Sequence, residues 1–224
     1  MPRVIAGKYR GIPLVTPKGQ KTRPTADKVK ESLFSILHAE LPGAVFLDLF
    51  AGSGQMGFEA VSRGAARCVL VDTSRAAREA QLANREKTRT QDLVEILTAD
   101  VFRILEVLAG RKDAFDVIFM DPPYDRAVDF VKKVGAAVSR LGLLKPGGIL
   151  VAEHDSSDNM DEIVMNLTSY RCCRYGNTML TFYSEKDYEA GEVPLPSEND
   201  DIPGEFRSLH TGSLRHSDES DGVL

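Results

Sequence analysis

The chain has 224 residues, 42% of them hydrophobic, which suits one domain with a single core plus appendages. Its three cysteines, Cys68, Cys172 and Cys173, give neither a disulfide framework nor a zinc spacing; with no apolar leader after Met1-Pro2-Arg3 and no apolar run of about 18 residues, a cytoplasmic protein without a membrane span or a metal is expected. The formal net charge of −5 hides an asymmetry: residues 185–224 hold 11 acids against 3 bases, and residues 1–30 hold eight bases against one acid.

Residues 3–16 read as a short hairpin, with Val4-Ile5-Ala6 and Ile12-Pro13-Leu14-Val15 flanking a turn rich in Gly7, Lys8 and Gly11. The bases of this region are Arg3, Lys8, Arg10, Lys18, Lys21, Arg23, Lys28 and Lys30, with Asp27 the one acid. Such an excess fits a phosphate-backbone footprint and a solvated basic arm equally well. Residues 17–24 form a loop. Thr25 stands at the N-cap of a helix running to about residue 40, with Val29, Leu33, Ile36, Leu37 and Leu41 at helical spacing.

Strand and helix signals then alternate. Strands are predicted over 45–49, 68–71, 93–97, 115–120 and 148–153. Helices are predicted over 54–63, from Ser74 to about 87, from Asp100 to 108, and over 127–141. An antiparallel pair, 171–176 and 178–183, turns at Gly176-Asn177. Residues beyond about 186 are poor in large apolar groups and read as a disordered acidic tail. The predicted layout is a basic hairpin and loop over 1–25, an α/β domain over 26–184 and the tail over 185–224. Apolar strands alternating with helices indicate a mostly parallel, Rossmann-like sheet with helices on both faces. Ligands bind beyond the carboxyl ends of such strands, where Gly52, Asp72, Asp100 and Asp121 all fall.

The turn after the first strand, Asp48-Leu49-Phe50-Ala51-Gly52-Ser53-Gly54-Gln55-Met56-Gly57, lets the backbone approach a ligand closely. Gly52, Gly54 and Gly57 also satisfy the dinucleotide fingerprint, a weak match alone. Asp48 would repel a pyrophosphate but suits a cation, and S-adenosyl-L-methionine carries an ammonium and a sulfonium and no phosphate. Asp72 can accept hydrogen bonds from ribose hydroxyls in either kind of cofactor. Asp100 fits an acceptor for an adenine amino group and a helix N-cap equally well.

Asp121-Pro122-Pro123-Tyr124 is the most specific chemistry in the chain. Two prolines fix φ and remove two backbone donors, leaving a rigid turn that displays the Asp121 carboxylate and the Pro122 carbonyl. Two fixed acceptors match the two N–H donors of an exocyclic amino group on a nucleic-acid base, and Tyr124 can stack on the flat ring. Holding both hydrogens aims the nitrogen lone pair at a methyl sulfonium, so positioning supplies most of the rate.

These motifs resemble the class I methyltransferases, which carry a glycine turn after strand one and [Asp/Asn/Ser]-Pro-Pro-[Tyr/Phe/Trp] after strand four. Arg3-Val4-Ile5-Ala6-Gly7-Lys8-Tyr9-Arg10-Gly11 and Thr22-Arg23-Pro24-Thr25-Ala26-Asp27-Lys28-Val29-Lys30-Glu31-Ser32-Leu33-Phe34 further resemble the bacterial RsmD-type 16S ribosomal-RNA guanine-N2 methyltransferases, over residues 3–184. The resemblance implies a seven-stranded class I sheet with S-adenosyl-L-methionine as cofactor. It implies Asp121, Pro122, Pro123 and Tyr124 at the target amino group and base, and Asp48 and Phe50-Ala51-Gly52-Ser53-Gly54 at the methionine part. Asp72 with Thr73 would hold the ribose, Asp100 with Val101 the adenine, and Asp121 would border the cofactor. Arg3, Lys8, Arg10, Arg23 and Lys28 would contact RNA. The implied partner is 16S rRNA or the assembling small ribosomal subunit, met by a monomer. Asp72 departs from the more frequent Glu, and the acidic tail lies outside the pattern. The competing readings are a nicotinamide-dependent oxidoreductase, from the three glycines, and an RNA-binding module without turnover.

Overall fold

The computed structural model describes residues 2–17, 27–123 and 126–185. In chain order the elements are α1 (Asp27–Ile36), β1 (Val45–Leu49), α2 (Gln55–Ser62), β2 (Arg67–Asp72), α3 (Arg75–Thr88), β3 (Val94–Thr98), α4 (Val101–Gly110), β4 (Phe115–Met120), α5 (Ala127–Arg140), β5 (Leu144–Asp155), β6 (Ile163–Val164), β7 (Leu167–Tyr175) and β8 (Thr178–Ser184). The strands form one sheet in the order β3-β2-β1-β4-β5-β8-β7-β6. The first five pair in parallel; β5–β8, β8–β7 and β7–β6 are antiparallel.

Period-two alternation sends neighbouring side chains of each strand to opposite faces, so each buried strand feeds two cores. Phe46, Leu70, Val117, Phe119 and Val151 pack with Leu33 and Phe34 of α1, with Met56 and Phe58 of α2, and with Val4 and Leu14 of the N-terminal segment. Leu47, Val69, Ile118 and Leu150 pack with Leu105 and Leu108 of α4 and with Val131 and Val134 of α5.

The sheet departs from the expected seven strands. The eighth, β6, spans two residues and pairs through Ile163–Thr168 and Val164–Leu167, too short to leave a pattern. β5 is longer than its apolar run: it begins at Leu144, before Pro146 and Gly147, and a register shift between Phe115 and Val117 of β4 absorbs the irregularity. α1 ends at Ile36, and Leu37 and Leu41 reach the core from the turns that follow. Thr25 and the acidic tail beyond Glu185 lie outside the described residues. No described helix is long and apolar enough to cross a membrane.

Residues 2–17 fold back as expected. Arg3 and Pro13 form an antiparallel bridge, supported by Val4 N–H to Ile12 O at 3.0 Å and Leu14 N–H to Pro2 O at 2.8 Å. The turn lies directly on the end of α2, where a Cβ on Gly7 would fall 1.9 Å from the Ser62 carbonyl oxygen. Only glycine permits that approach.

Candidate active site

The registers bring the sequence-predicted residues to one end of the sheet. Leu49 pairs with Val71 on one side and Met120 on the other, and Asp72 pairs with Thr98. The turn Phe50–Gly54, Asp72, Asp100 and Asp121 therefore lie together beyond the carboxyl ends of β1, β2, β3 and β4. Two bonds continue the ladders past the strands: Ala51 N–H donates to Val71 O at 2.9 Å, and Asp121 N–H donates to Leu49 O at 3.4 Å. Asp72 and Asp121 flank the glycine turn from opposite sides.

The turn is held from beneath. Gly52 (φ 52°) and Gly54 (φ 76°) adopt left-handed conformations, which glycine enters freely. A Cβ on Gly52 would meet nothing within 4 Å, so the backbone there is open to a ligand. At Gly57 the opposite holds: a Cβ would lie 2.3 Å from Leu70 Cδ2 and 2.5 Å from Cys68 Sγ, because α2 packs tightly on β2. The third glycine of the fingerprint serves packing. Phe50, another left-handed residue (φ 63°), sets its ring edge-on to Phe130 of α5 at 5.2 Å, and Phe130 stacks with Phe102 of α4 at 6.2 Å. These rings wall the α4–α5 side of the turn; sequence reading had missed Phe102 and Phe130, which look like ordinary core positions.

Asp48 lies under the turn with 1% exposure, and its Oδ2 accepts from Gly57 N–H at 3.1 Å. Burial, with smaller repulsion from Asp121 and Asp72 and against the Gly57 bond, pushes its carboxyl up to about 8. Asp72 is half-buried, and its two oxygens accept from Gly52 N–H and Ser74 N–H, both at 2.8 Å. Thr73 is exposed beside it. Asp100 is the N-cap of α4, Oδ1 accepting from Phe102 N–H at 3.0 Å and Arg103 N–H at 3.4 Å; it is exposed, and Val101 behind it is buried. Asp121 is partly exposed at the end of β4, and loss of solvent pushes its carboxyl up to about 7. Pro122 is buried and Pro123 exposed. Tyr124 lies outside the described residues.

Of the candidate RNA contacts, Arg3, Lys8, Arg10 and Lys28 are exposed; Arg23 lies outside the described residues. Lys30, counted among the basic excess, is instead fully buried, and its Nζ donates to the Arg3 carbonyl at 2.6 Å. Desolvation lowers its pKa. It fastens the N-terminal segment rather than facing a phosphate. The other fasteners had also escaped sequence reading. Glu59 of α2, with no exposure, accepts from Ile5 N–H at 2.7 Å and Ala6 N–H at 3.0 Å, and Ser62 Oγ accepts from Tyr9 N–H at 2.9 Å. Gln81 and Asn84 of α3 are likewise buried, donating to the Gly52 and Ser53 carbonyls. The signal for all of them is a polar side chain interrupting a buried helix face, which cannot be told from a solvated one without knowing the face.

The family model described as Conserved hypothetical protein 95 matches residues 2–184. YlbH of Bacillus subtilis (strain 168), named for an inferred rRNA methyltransferase activity, is 36% identical over 184 residues, covering 82% of this chain and 99% of that protein. Ribosomal RNA small subunit methyltransferase D of Escherichia coli (strain K12) is 33% identical over 151 residues, covering 67% of this chain and 70% of its own. The solved structure of yhhF from Escherichia coli, named for an inferred methyltransferase activity, superposes with a TM-score of 0.70 at 28% identity, covering 81% of this chain and 96% of that one. With a family match that reaches from the basic hairpin to the last strand, and with the glycine turn and Asp121-Pro122-Pro123 brought to one end of a class I sheet, the chain belongs to the RsmD-type methyltransferase family.

Proposed function

We propose that the chain transfers a methyl group from S-adenosyl-L-methionine to the exocyclic N2 amino group of a guanine in 16S, small-subunit ribosomal RNA. The observation that carries this reading is the bond from Asp121 N–H to Leu49 O, which holds the start of Asp121-Pro122-Pro123 beside the glycine turn. The residues around that turn fit the cofactor. Gly52 leaves open backbone, Asp72 has lone pairs to spare on both oxygens for ribose hydroxyls, and the N-cap bonds of Asp100 use Oδ1 alone. The Asp48 carboxyl under the turn holds its proton in the free chain, and a cationic end above it would favour its ionised form, which a pyrophosphate would not.

When bound, the cofactor supplies a methyl group already activated on a sulfonium. Asp121 and Pro122 accept the two amino hydrogens and turn the nitrogen lone pair toward that methyl. As the N–C bond forms and the C–S bond breaks, one proton leaves the nitrogen, and in this reading the Asp121 carboxylate would receive it. Positioning of this kind contributes on the order of 10²-fold or more per misplacement avoided. Tyr124 stacks on the base in this reading, and Arg3, Lys8, Arg10, Arg23 and Lys28 meet the RNA backbone, with residues 1–25 as the RNA-contacting unit. A paired guanine must leave its stack to reach the crevice, which favours a loop guanine.

The test is mass spectrometry of small-subunit RNA from cells with and without the gene, complemented by the wild type or by Asp121→Ala. The expected result is one methylguanine that is lost with the gene, restored by the wild type and not restored by the variant. Restoration by Asp121→Ala would remove the assigned role.

A further inference from the structure

Asn84 has no solvent exposure, and its amide joins two segments far apart in sequence. Val15 N–H donates to Oδ1 at 2.7 Å, while Nδ2 donates to Val15 O at 2.9 Å and to Ser53 O at 2.9 Å. The Val15 N–H can be met only by the oxygen, so the NH₂ group must face the two carbonyls. Three residues earlier on the same face of α3, Gln81 Nε2 donates to the Gly52 carbonyl at 3.0 Å. α3 thus grips two carbonyls of the glycine turn, and the same amide that grips Ser53 holds the returning strand of the basic hairpin.

We infer that Asn84 is a positioning residue that couples the hairpin to the cofactor turn, so that cofactor occupancy and RNA engagement strengthen each other. This rests on the function proposed above. The amide has two N–H groups and both are committed, so a shift of Ser53 strands one donor in a water-free place or drags Val15 with it. A ligand that orders the turn therefore orders the hairpin strand, and by linkage an RNA that holds the hairpin favours the ordered turn.

Hydrogen exchange of the full chain, read by mass spectrometry with and without S-adenosylhomocysteine, requires no variant. The ligand is expected to slow exchange in peptides covering residues 12–16 as well as in the turn; protection confined to the turn overturns the inference. If calorimetry detects no ligand binding at all, the proposed function falls instead, and the two failures are told apart. A second measurement is the affinity for S-adenosylhomocysteine with and without small-subunit rRNA. RNA is expected to tighten binding by about fivefold or more in the wild type, the low end of ordinary coupling. Asn84→Asp, which replaces the donating NH₂ with an acceptor, is expected to bring the ratio to about one. An unchanged ratio in folded Asn84→Asp, or no effect of RNA on the wild type, overturns the inference; if Asn84→Asp does not fold, the exchange result on the wild type decides.

Discussion

Gly52 donates its N–H to the Asp72 carboxylate at 2.8 Å, and the other oxygen of that carboxylate takes the Ser74 N–H at the same distance. One side chain thus closes the glycine turn and the approach to α3. Asp72→Ala is expected to lower stability by about 1–3 kcal/mol, because two backbone donors lose their partner, and to weaken S-adenosylhomocysteine binding by about tenfold or more. Asp72→Asn, which keeps one acceptor, is expected to fall between. Urea denaturation and titration calorimetry measure the two effects separately.

Asp121 stands at about 7 because it is poorly solvated. Only its ionised form offers acceptors to both an amino hydrogen and a departing proton. The rate constant kcat/KM for methyl transfer is therefore expected to rise with pH up to about 7 and to level above it, since this parameter reports groups of the free enzyme. Asp121→Asn is expected to lower kcat by about 100-fold or more while S-adenosylhomocysteine affinity stays within about threefold. A profile that is level from pH 6 to pH 9 contradicts the assignment.

Asp48 carries the opposite lesson for stability. Its carboxyl is raised from 3.8 to about 8, so the folded chain keeps a proton that the unfolded chain releases. That difference makes stability fall as pH rises from about 4 to about 8 and level beyond. Asp48→Asn keeps an acceptor for Gly57 N–H without the ionisable group. The ligand-free variant is expected to match the wild type near pH 4 and to exceed it at pH 8, while binding S-adenosyl-L-methionine more weakly. Denaturant titrations at both pH values check this; equal stabilities at pH 8 would show that the buried carboxyl is not the group responsible.

Lys8 and Arg10 are exposed on a hairpin whose backbone is fixed to α2. Lys8→Ala and Arg10→Ala are each expected to lower the slope of log affinity for RNA against log salt by about one, with cofactor affinity in the absence of RNA unchanged. Binding titrations from low to physiological salt measure the slope.

The parts of this molecule legible in the sequence were those with local causes. β4 spans Phe115–Met120 in agreement with its apolar run, Ser74 caps α3 through a bond from Ala77 N–H, and the β7–β8 turn falls at Gly176 with φ 63°. The convergence of Gly52, Asp72 and Asp121 was legible because parallel sheets put ligands at strand ends. What escaped was set by partners distant in the chain. Glu59 reads as a solvated helix residue until Ile5 and Ala6 are laid on it, and Lys30 reads as a surface cation until the Arg3 carbonyl covers it. β6 escaped because two residues carry no period. Asp100 left two readings open; its N-cap bonds satisfy one and leave Oδ2 for the other.

The fastening of the hairpin also imposes an order on synthesis. Ile5 and Ala6 depend on Glu59, 54 and 53 residues later, and Val15 depends on Asn84, 69 residues later. At about 5–20 residues per second, the emerging segment waits several seconds, with the Ile5, Ala6 and Val15 N–H groups met by water, before the helices that receive them have been made. The earliest-made part of the described fold thus settles only after α3 is made, and a nascent chain halted before α3 would hold its returning segment by its own bonds to Pro2 and Val4 alone, without the Asn84 amide.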